Sequence, residues 1–225
     1  MILNVVLKMI LRSWWRNKVF FLVSVASLAL GLACTNLLMT YFVHEHGLEG
    51  RNPDRDRMFF LRQDDPMTEG KRVAFAGAEI PPQLKQSYAE VENFLRLGKL
   101  DLLYCKVNEQ KVEGDFKMLS ADTTLTNFFD YRTEEGSLSQ VLCQPGKVAL
   151  SEACARRLFG GKQAVGKQVE AHFRFGEVRP YEVAAVLKKR EQSLLQFDML
   201  IAHDPDFFWG GLTLLKLTPG TDAGH

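Results

Sequence analysis

From Val19 to Val43 the chain reads VFFLVSVASLALGLACTNLLMTYFV, with no charged residue and only Ser24, Ser27, Thr35, Asn36 and Thr40 as scattered polar positions. A soluble helix of this length would keep a polar face, so the pattern predicts a helix that is apolar all round. At about 1.5 Å per residue, about 25 such residues exceed the roughly 30 Å hydrocarbon core of a bilayer. Val19–Val43 is therefore expected to be a transmembrane helix. A cleaved secretory signal also begins with positive charge and an apolar run. Its core is only about 7 to 15 residues long, however, and here about 18 helically patterned residues come first, so an uncleaved anchor is expected.

Residues 1–18 show a different period. Asn4, Lys8, Arg12 and Arg16 recur at every fourth position among apolar neighbours, which places them on one stripe of a helix. With Lys18 they form a basic face suited to an anionic leaflet, and Trp14 and Trp15 suit the headgroup level. This lead-in is expected to lie in the interface on the cytoplasmic side. Within the span, Ser27, Gly31 and Thr35 also repeat at every fourth residue, and Asn36 beside them adds a polar group that prefers a partner to lipid. These four positions are the candidate face for packing against another helix.

Beyond the span, residues 44–56 are rich in charge and turn formers and are read as a hydrated neck leading to a domain over residues 57–225. There the pattern alternates between short strands and short helices. Strands are expected over Arg57–Gln63, Val73–Ala78, Val91–Leu97, Leu100–Val107, Lys111–Ser120, Lys147–Leu150, Gln168–Phe175, Pro180–Lys188, Asp198–Ala202 and Gly211–Leu217. Asn108 and Glu109 mark a hairpin turn. Helices are expected opening at Pro81 and Pro82, over Thr124–Phe129, and over Ser151–Phe159. The last has the fullest signals: Ser151 as cap, Glu152 in the first turn, Arg156 and Arg157 in the last, and Gly160 beyond. The fold class is α+β, as one mixed domain or two lobes.

Charge changes the picture in one respect. The chain carries 28 basic and 27 acidic residues, but Lys8, Arg12, Arg16 and Lys18 precede Glu45, leaving 24 basic against 27 acidic from His44 onward, a formal −3. That balance excludes a nucleic-acid surface, and the basic N-terminal end favours a cytoplasmic N-terminus with the domain outside.

Candidate chemistry is thin. Gly161, Gly166 and Lys167 match G-x-x-x-x-G-K, but Gln168 stands where Ser or Thr would hold magnesium, and the segment leaves a helix for a strand, the reverse of a phosphate loop. His44 and His46 lack a third ligand at metal-site spacing. Ser151, Ser193, His172 and His203 lie outside any nucleophile motif, and Asp64 with Asp65 and Glu134 with Glu135 read as solvated pairs. No catalytic, cofactor or metal residue is assigned. Of the four cysteines, Cys34 lies in the span, while Cys105, Cys143 and Cys154 allow either one bridge or three thiols.

Taken together, several blocks resemble the N-terminal part of MacB-like and FtsX-like ABC-transporter permeases, above all their MacB-like periplasmic core domain. These are the basic lead-in with Arg12, Arg16, Asn17 and Lys18, the span with Gly31-Leu32-Ala33, and NPDRDRMFFLR over Asn52–Arg62. Further on come Tyr88–Glu92 with Arg96, then Asp122 with Asn127, Phe128 and Phe129. The most specific block is VALSEACARRLFGGKQAVGK over Val148–Lys167. The resemblance implies a permease that couples ATP hydrolysis by a separate cytoplasmic ATPase to movement of its periplasmic domain, for export or mechanotransmission. It also implies a bacterial inner-membrane location, a second permease copy or half, a periplasmic partner, no cofactor, and further spans after His225. The competing expectation is a single-pass anchored sensor, scaffold or binding module, and an anchored enzyme ranks behind both.

Overall fold

The computed structural model describes residues 18–47, 52–64, 71–161, 163–174, 176–188, 193–204 and 210–221, with the side chains of 43–47 outside the description. The interfacial stripe of Lys8, Arg12 and Arg16 and the side chains of His44 and His46 lie outside it. The chain divides into two compact units, Met1–Leu48 and Glu49–His225.

In the first unit, helix α1 runs Lys18–Gly47. Its stretch Lys18–Phe42 is long and apolar enough to cross a membrane. Leu22, Val23, Val25 and Leu28 are all exposed within the unit, on different sides of the helix. Such a surface is tolerated in lipid and not in water.

The second unit is organised around one long strand. Its elements in order are β1 (Met58–Phe60), β2 (Gln63–Asp64), β3 (Arg72–Val73), β4 (Ala76–Gly77), α2 (Ile80–Ser87) and β5 (Val91–Val107). After them come β6 (Gln110–Glu113), β7 (Lys117–Ala121), α3 (Leu125–Phe128), β8 (Thr133–Gly136), α4 (Leu138–Cys143) and β9 (Lys147–Ser151). The series ends with α5 (Glu152–Phe159), β10 (Gln168–Phe173), β11 (Val178–Leu187), β12 (Met199–Ala202) and β13 (Gly210–Leu217). Six strands close on themselves: β5 pairs β10, β10 pairs β11, β11 pairs β9, β9 pairs β12, β12 pairs β7, and β7 returns to β5. The β9–β11 and β7–β12 pairs are parallel. The first half of β5 extends out of this ring to pair with β13, which carries β1 and β4.

Both faces of the central strands are buried. Val148 and Leu150 of β9 and Met199 and Ile201 of β12 join a cluster that draws on all six ring strands and on α5. Ala149 and Leu200, pointing the other way, join a second cluster under α3 and α4 with Leu125, Phe128, Val141 and Leu187. Strands buried on two faces lose the polar alternation of a half-exposed sheet, so β9 and β12 read as short apolar runs.

Several sequence expectations need correction here. Val73–Ala78 is divided between β3 and β4, which pair with different strands, and Arg57–Gln63 holds only the three residues of β1 before β2 begins. Val91–Leu97 and Leu100–Val107 are not two strands but one, β5. Its buried parity changes at Gly98: Leu95 and Leu97 belong to the second cluster, Leu100 and Leu102 to the first. A period-2 reading therefore breaks where the backbone does not. The arm Lys111–Ser120 is instead divided into β6 and β7 at Gly114, where a Cβ would collide with the Arg157 guanidinium. That guanidinium donates to the Glu113 carbonyl at 2.6 Å and lies over the Phe116 ring at 4.4 Å. Finally, β8 and α4 are additional elements. The residues of β8, Thr-Glu-Glu-Gly, are all exposed and carry no apolar signal, and its Gly136, at φ 76°, comes so close to the Ala184 carbonyl that a side chain would overlap it.

Other local readings match the observed backbone. Asn108 and Glu109 both have positive φ, 49° and 63°, as a two-residue I′ hairpin requires. The Ser151 hydroxyl accepts from the Cys154 amide, and Gly160 ends α5 in the left-handed conformation.

Candidate functional site

The described part of the second unit begins with Asn52, five residues beyond the end of α1 at Gly47. Its side chain makes two opposite bonds. The Asn52 Oδ1 accepts from the Asp54 amide at 3.0 Å, closing a local turn, while Nδ2 donates to the Phe128 carbonyl at 2.6 Å. A short 3₁₀ turn, Arg55–Arg57, comes next and delivers the chain into β1. The family-like NPDR block thus bends the incoming chain and ties it to the end of α3.

Four charged side chains then converge. Arg57 donates to Asp54, to Glu92 Oε2 at 2.6 Å and to the Leu217 carbonyl at 2.8 Å. Lys216 of β13 donates to Asp54 Oδ2 at 2.5 Å and to the Asn127 carbonyl at 3.3 Å, with Glu92 Oε1 at 3.6 Å. The Lys216 side chain is 9% exposed, and an ammonium has three protons to satisfy, so three oxygen neighbours compensate its burial. Two cations face two anions. The hydrogen bond from Lys216, then that from Arg57, holds the Asp54 carboxyl below the usual carboxylate range. The same cluster contacts β1, the start of β5 and the end of β13.

A second ion pair sits farther along β5. Asp122 accepts from the Arg96 backbone amide at 2.8 Å and from its guanidinium at 2.8 and 3.0 Å, while the remaining Arg96 nitrogen donates to the Ala78 carbonyl at 3.1 Å. His203 is beside this pair, bonded through its amide to the Ala121 carbonyl at 2.8 Å. Burial holds the His203 imidazole below its ordinary pKa, with Asp122 and Asp204 opposing and Arg96 reinforcing that direction.

On α1, Ser27, Gly31 and Thr35 fall on one stripe with Asn36 beside it, and the whole stripe is exposed. The Thr35 hydroxyl donates to the Gly31 carbonyl at 2.8 Å, so its polar atom is satisfied within the helix. A Cβ added at Gly31 would meet nothing within 4 Å. No contact among the described residues requires glycine there.

The remaining candidates stay apart. Ser151 is the α5 cap, and the Ser193 hydroxyl accepts from the Leu195 amide at 3.3 Å. The His172 ring stacks on Tyr104 at 4.2 Å, while Glu134 and Glu135 are exposed on β8. Among the described residues no group of three or more His, Cys, Asp or Glu side chains is placed to hold a metal. The Gly161–Lys167 turn joins α5 to β10, its Gly166 amide donates to the Val183 carbonyl at 2.8 Å, and Lys167 lies over the Phe159 ring at 4.8 Å. The amide and the lysine that a phosphate loop would offer are both engaged in the fold.

Cys105 and Cys154 are free thiols buried in the first cluster, and Cys143 is exposed. Burial pushes the Cys105 thiol up to about 12 and the Cys154 thiol up as well. We expect brief alkylation of the native chain at pH 8 to modify Cys143 and spare Cys105 and Cys154, which should react only in denaturant. Peptide mass mapping checks this, and rapid native labelling of Cys105 would contradict the described packing.

An apolar helix precedes a mixed α+β domain whose buried polar groups brace the fold, with no convergent reactive set among the described residues. Residues 21–223 match the MacB-like periplasmic core domain, and the chain belongs to that family. The match includes most of the apolar stretch of α1. Family domains of this kind are parts of ABC-transporter permease components, which are not themselves enzymes. No curated protein sequence matches the chain. Among solved structures, a domain of a putative permease protein from Porphyromonas gingivalis is similar at 18% identity and TM-score 0.62, covering 76% of each chain. The periplasmic region of MacB from Actinobacillus actinomycetemcomitans is similar at 11% identity and TM-score 0.55, covering 79% of each. The extracellular domain of the noncanonic ABC-type transporter YknZ from Gram-positive bacteria is similar at 16% identity and TM-score 0.54, covering 72% of this chain and 83% of that one. At these identities the likeness concerns the fold.

Proposed function

We propose that the chain is a permease subunit, or the N-terminal portion of one, in which ATP hydrolysis by a separate cytoplasmic ATPase is converted into movement of the periplasmic domain. The observation that carries this reading is the family match running from within the apolar helix to the end of the α+β domain. Helix and domain thus belong to one family pattern, as a mechanical device needs and a generic anchor does not. In this reading α1 crosses the bacterial inner membrane with Lys8, Arg12, Arg16 and Lys18 on the cytoplasmic side. Ser27, Gly31, Thr35 and Asn36 face another helix of the bundle or of a second permease copy. The output is export of a substrate or action on a periplasmic partner.

The test is purification of the full chain from its native membrane after mild solubilisation. Recovery of an ATPase with a phosphate-loop motif in fixed ratio to the chain is expected. Recovery of the chain with no such ATPase would favour the single-pass sensor or scaffold instead.

A further inference from the structure

The four-charge cluster is larger than β1 needs as a strand. Met58–Phe60 is three residues long and is paired on one side, to β13. A short edge strand held by backbone bonds alone would peel from its N-terminal end when the chain preceding it is pulled, because each ladder bond is then loaded in turn. Here the residues before the strand are held first. Asn52 is bonded to the Phe128 carbonyl, Asp54 to Lys216, and Arg57 to both Glu92 and the Leu217 carbonyl. At the far end of β13, the Thr218 amide donates to the Glu90 carbonyl at 2.9 Å, fastening that strand to the lead-in of β5. Bonds set side by side at one point share a load that a peeling strand would take one bond at a time.

From this arrangement we infer that Asp54, Arg57, Glu92 and Lys216 form a directional mechanical clamp, which passes load on the chain before Asn52 to β5 and β13 without letting β1 peel away. Charge-assisted bonds suit a clamp because they are short and oriented, and because Lys216 is shielded from the water that would exchange with its partners. The inference rests on the reading that the domain is moved through its chain connection to the span. The clamp is a set of positioning residues: it would set how firmly motion is delivered, and it touches no substrate.

Single-molecule pulling on the full chain in nanodiscs separates a directional clamp from a general contribution to stability. In a Cys34→Ser background, exposed Cys143 serves as one handle. The second handle is Gly50→Cys for load through the incoming segment, or Asp115→Cys for load applied elsewhere on the domain. Lys216→Met, which keeps the stem and removes the charge, is expected to make unfolding at a fixed force about tenfold faster or more along the Gly50 direction, given the strength of hydrogen bonds to charged groups. Along the Asp115 direction the rate should change far less. Lys216→Arg should restore most of the directional resistance. If Lys216→Met does not fold, Arg57→Gln provides the same comparison. Equal acceleration in both directions, or none in either, would overturn the clamp. Because no ATPase takes part, failure to recover one in purification counts against the transport reading alone and leaves this measurement intact.

Discussion

Replacing Arg96 with Met is expected to destabilise the α+β domain by about 3 kcal/mol, the low end of the range for breaking a buried ion pair from one side, because the Arg96 side chain is 22% exposed. The reason lies in the carboxylate that the substitution leaves behind. Asp122 is 9% exposed and takes four bonds from Arg96, one from its backbone amide and three from its guanidinium, whose Nε–H is shared between the two carboxylate oxygens. With Met in place, the amide remains and the counter-charge is gone. Ala78 also loses the donor to its carbonyl. Asp122→Asn should cost less, because the charge it leaves without a partner, the Arg96 guanidinium, is more exposed and still donates to the Ala78 carbonyl, and because a side-chain oxygen remains at position 122 for the Arg96 amide. Urea unfolding of the full chain in detergent, tracked by far-ultraviolet circular dichroism, checks both. A midpoint for Arg96→Met equal to wild type would show that the pair adds nothing.

The same site carries a pH signature. His203 has a folded pKa below its ordinary value of about 6.5, so the unfolded chain binds the extra proton first as pH falls. Its contribution to stability is present above about pH 6.5 and declines as pH drops through the interval down to the folded pKa. Removing the Arg96 charge takes away one influence that lowers the His203 pKa, while Asp122 and Asp204 continue to favour imidazolium. The deficit of Arg96→Met relative to wild type should therefore shrink on acidification from pH 8 to pH 5. A deficit that stays constant would mean that His203 does not sense the Arg96 charge.

How much of this was legible in the sequence depended on the distance over which each feature is determined. Helix α5 was fully legible because its cap, its charges and its terminal Gly160 all lie within ten residues, and so was the Asn108–Glu109 turn. Helix α1 was legible from an unbroken apolar run. The single strand β5 was not, because its faces exchange roles at Gly98 in response to two different clusters. Strand β8 was hidden because it is fixed by the close approach of Gly136 to Ala184, and a lone glycine among exposed residues does not announce that. Lys216 is the clearest case. In LTLLKL it reads as an ordinary charge on a strand, whereas its partner Asp54 is 162 residues earlier. The family resemblance drew attention to Asn52–Arg62 but could not say what those residues hold.

The prediction with the largest functional effect concerns the connection between α1 and Asn52. The helix has 30 residues, about 45 Å at 1.5 Å per residue, and a rigid rod of that length can carry displacement across a bilayer only if the segment joined to its end is also stiff. The Asn52–Arg57 turn is stiff, being bonded to α3, β5 and β13. A twelve-residue Gly/Ser insertion after Gly50 would place a coil of roughly 19 Å root-mean-square span between rod and clamp, able to absorb a displacement of similar size without transmitting it. If the chain works as proposed, with an ATPase and a second permease copy, spin labels on Cys143 of the two copies should report an ATP-dependent change of distance. With the insertion that change should be lost while the ATPase still co-purifies, since the proposed orientation puts the insertion on the far side of the membrane from the ATPase. An insertion variant that keeps both would mean that α1 does not act as a lever, and that any motion reaches the domain by another path.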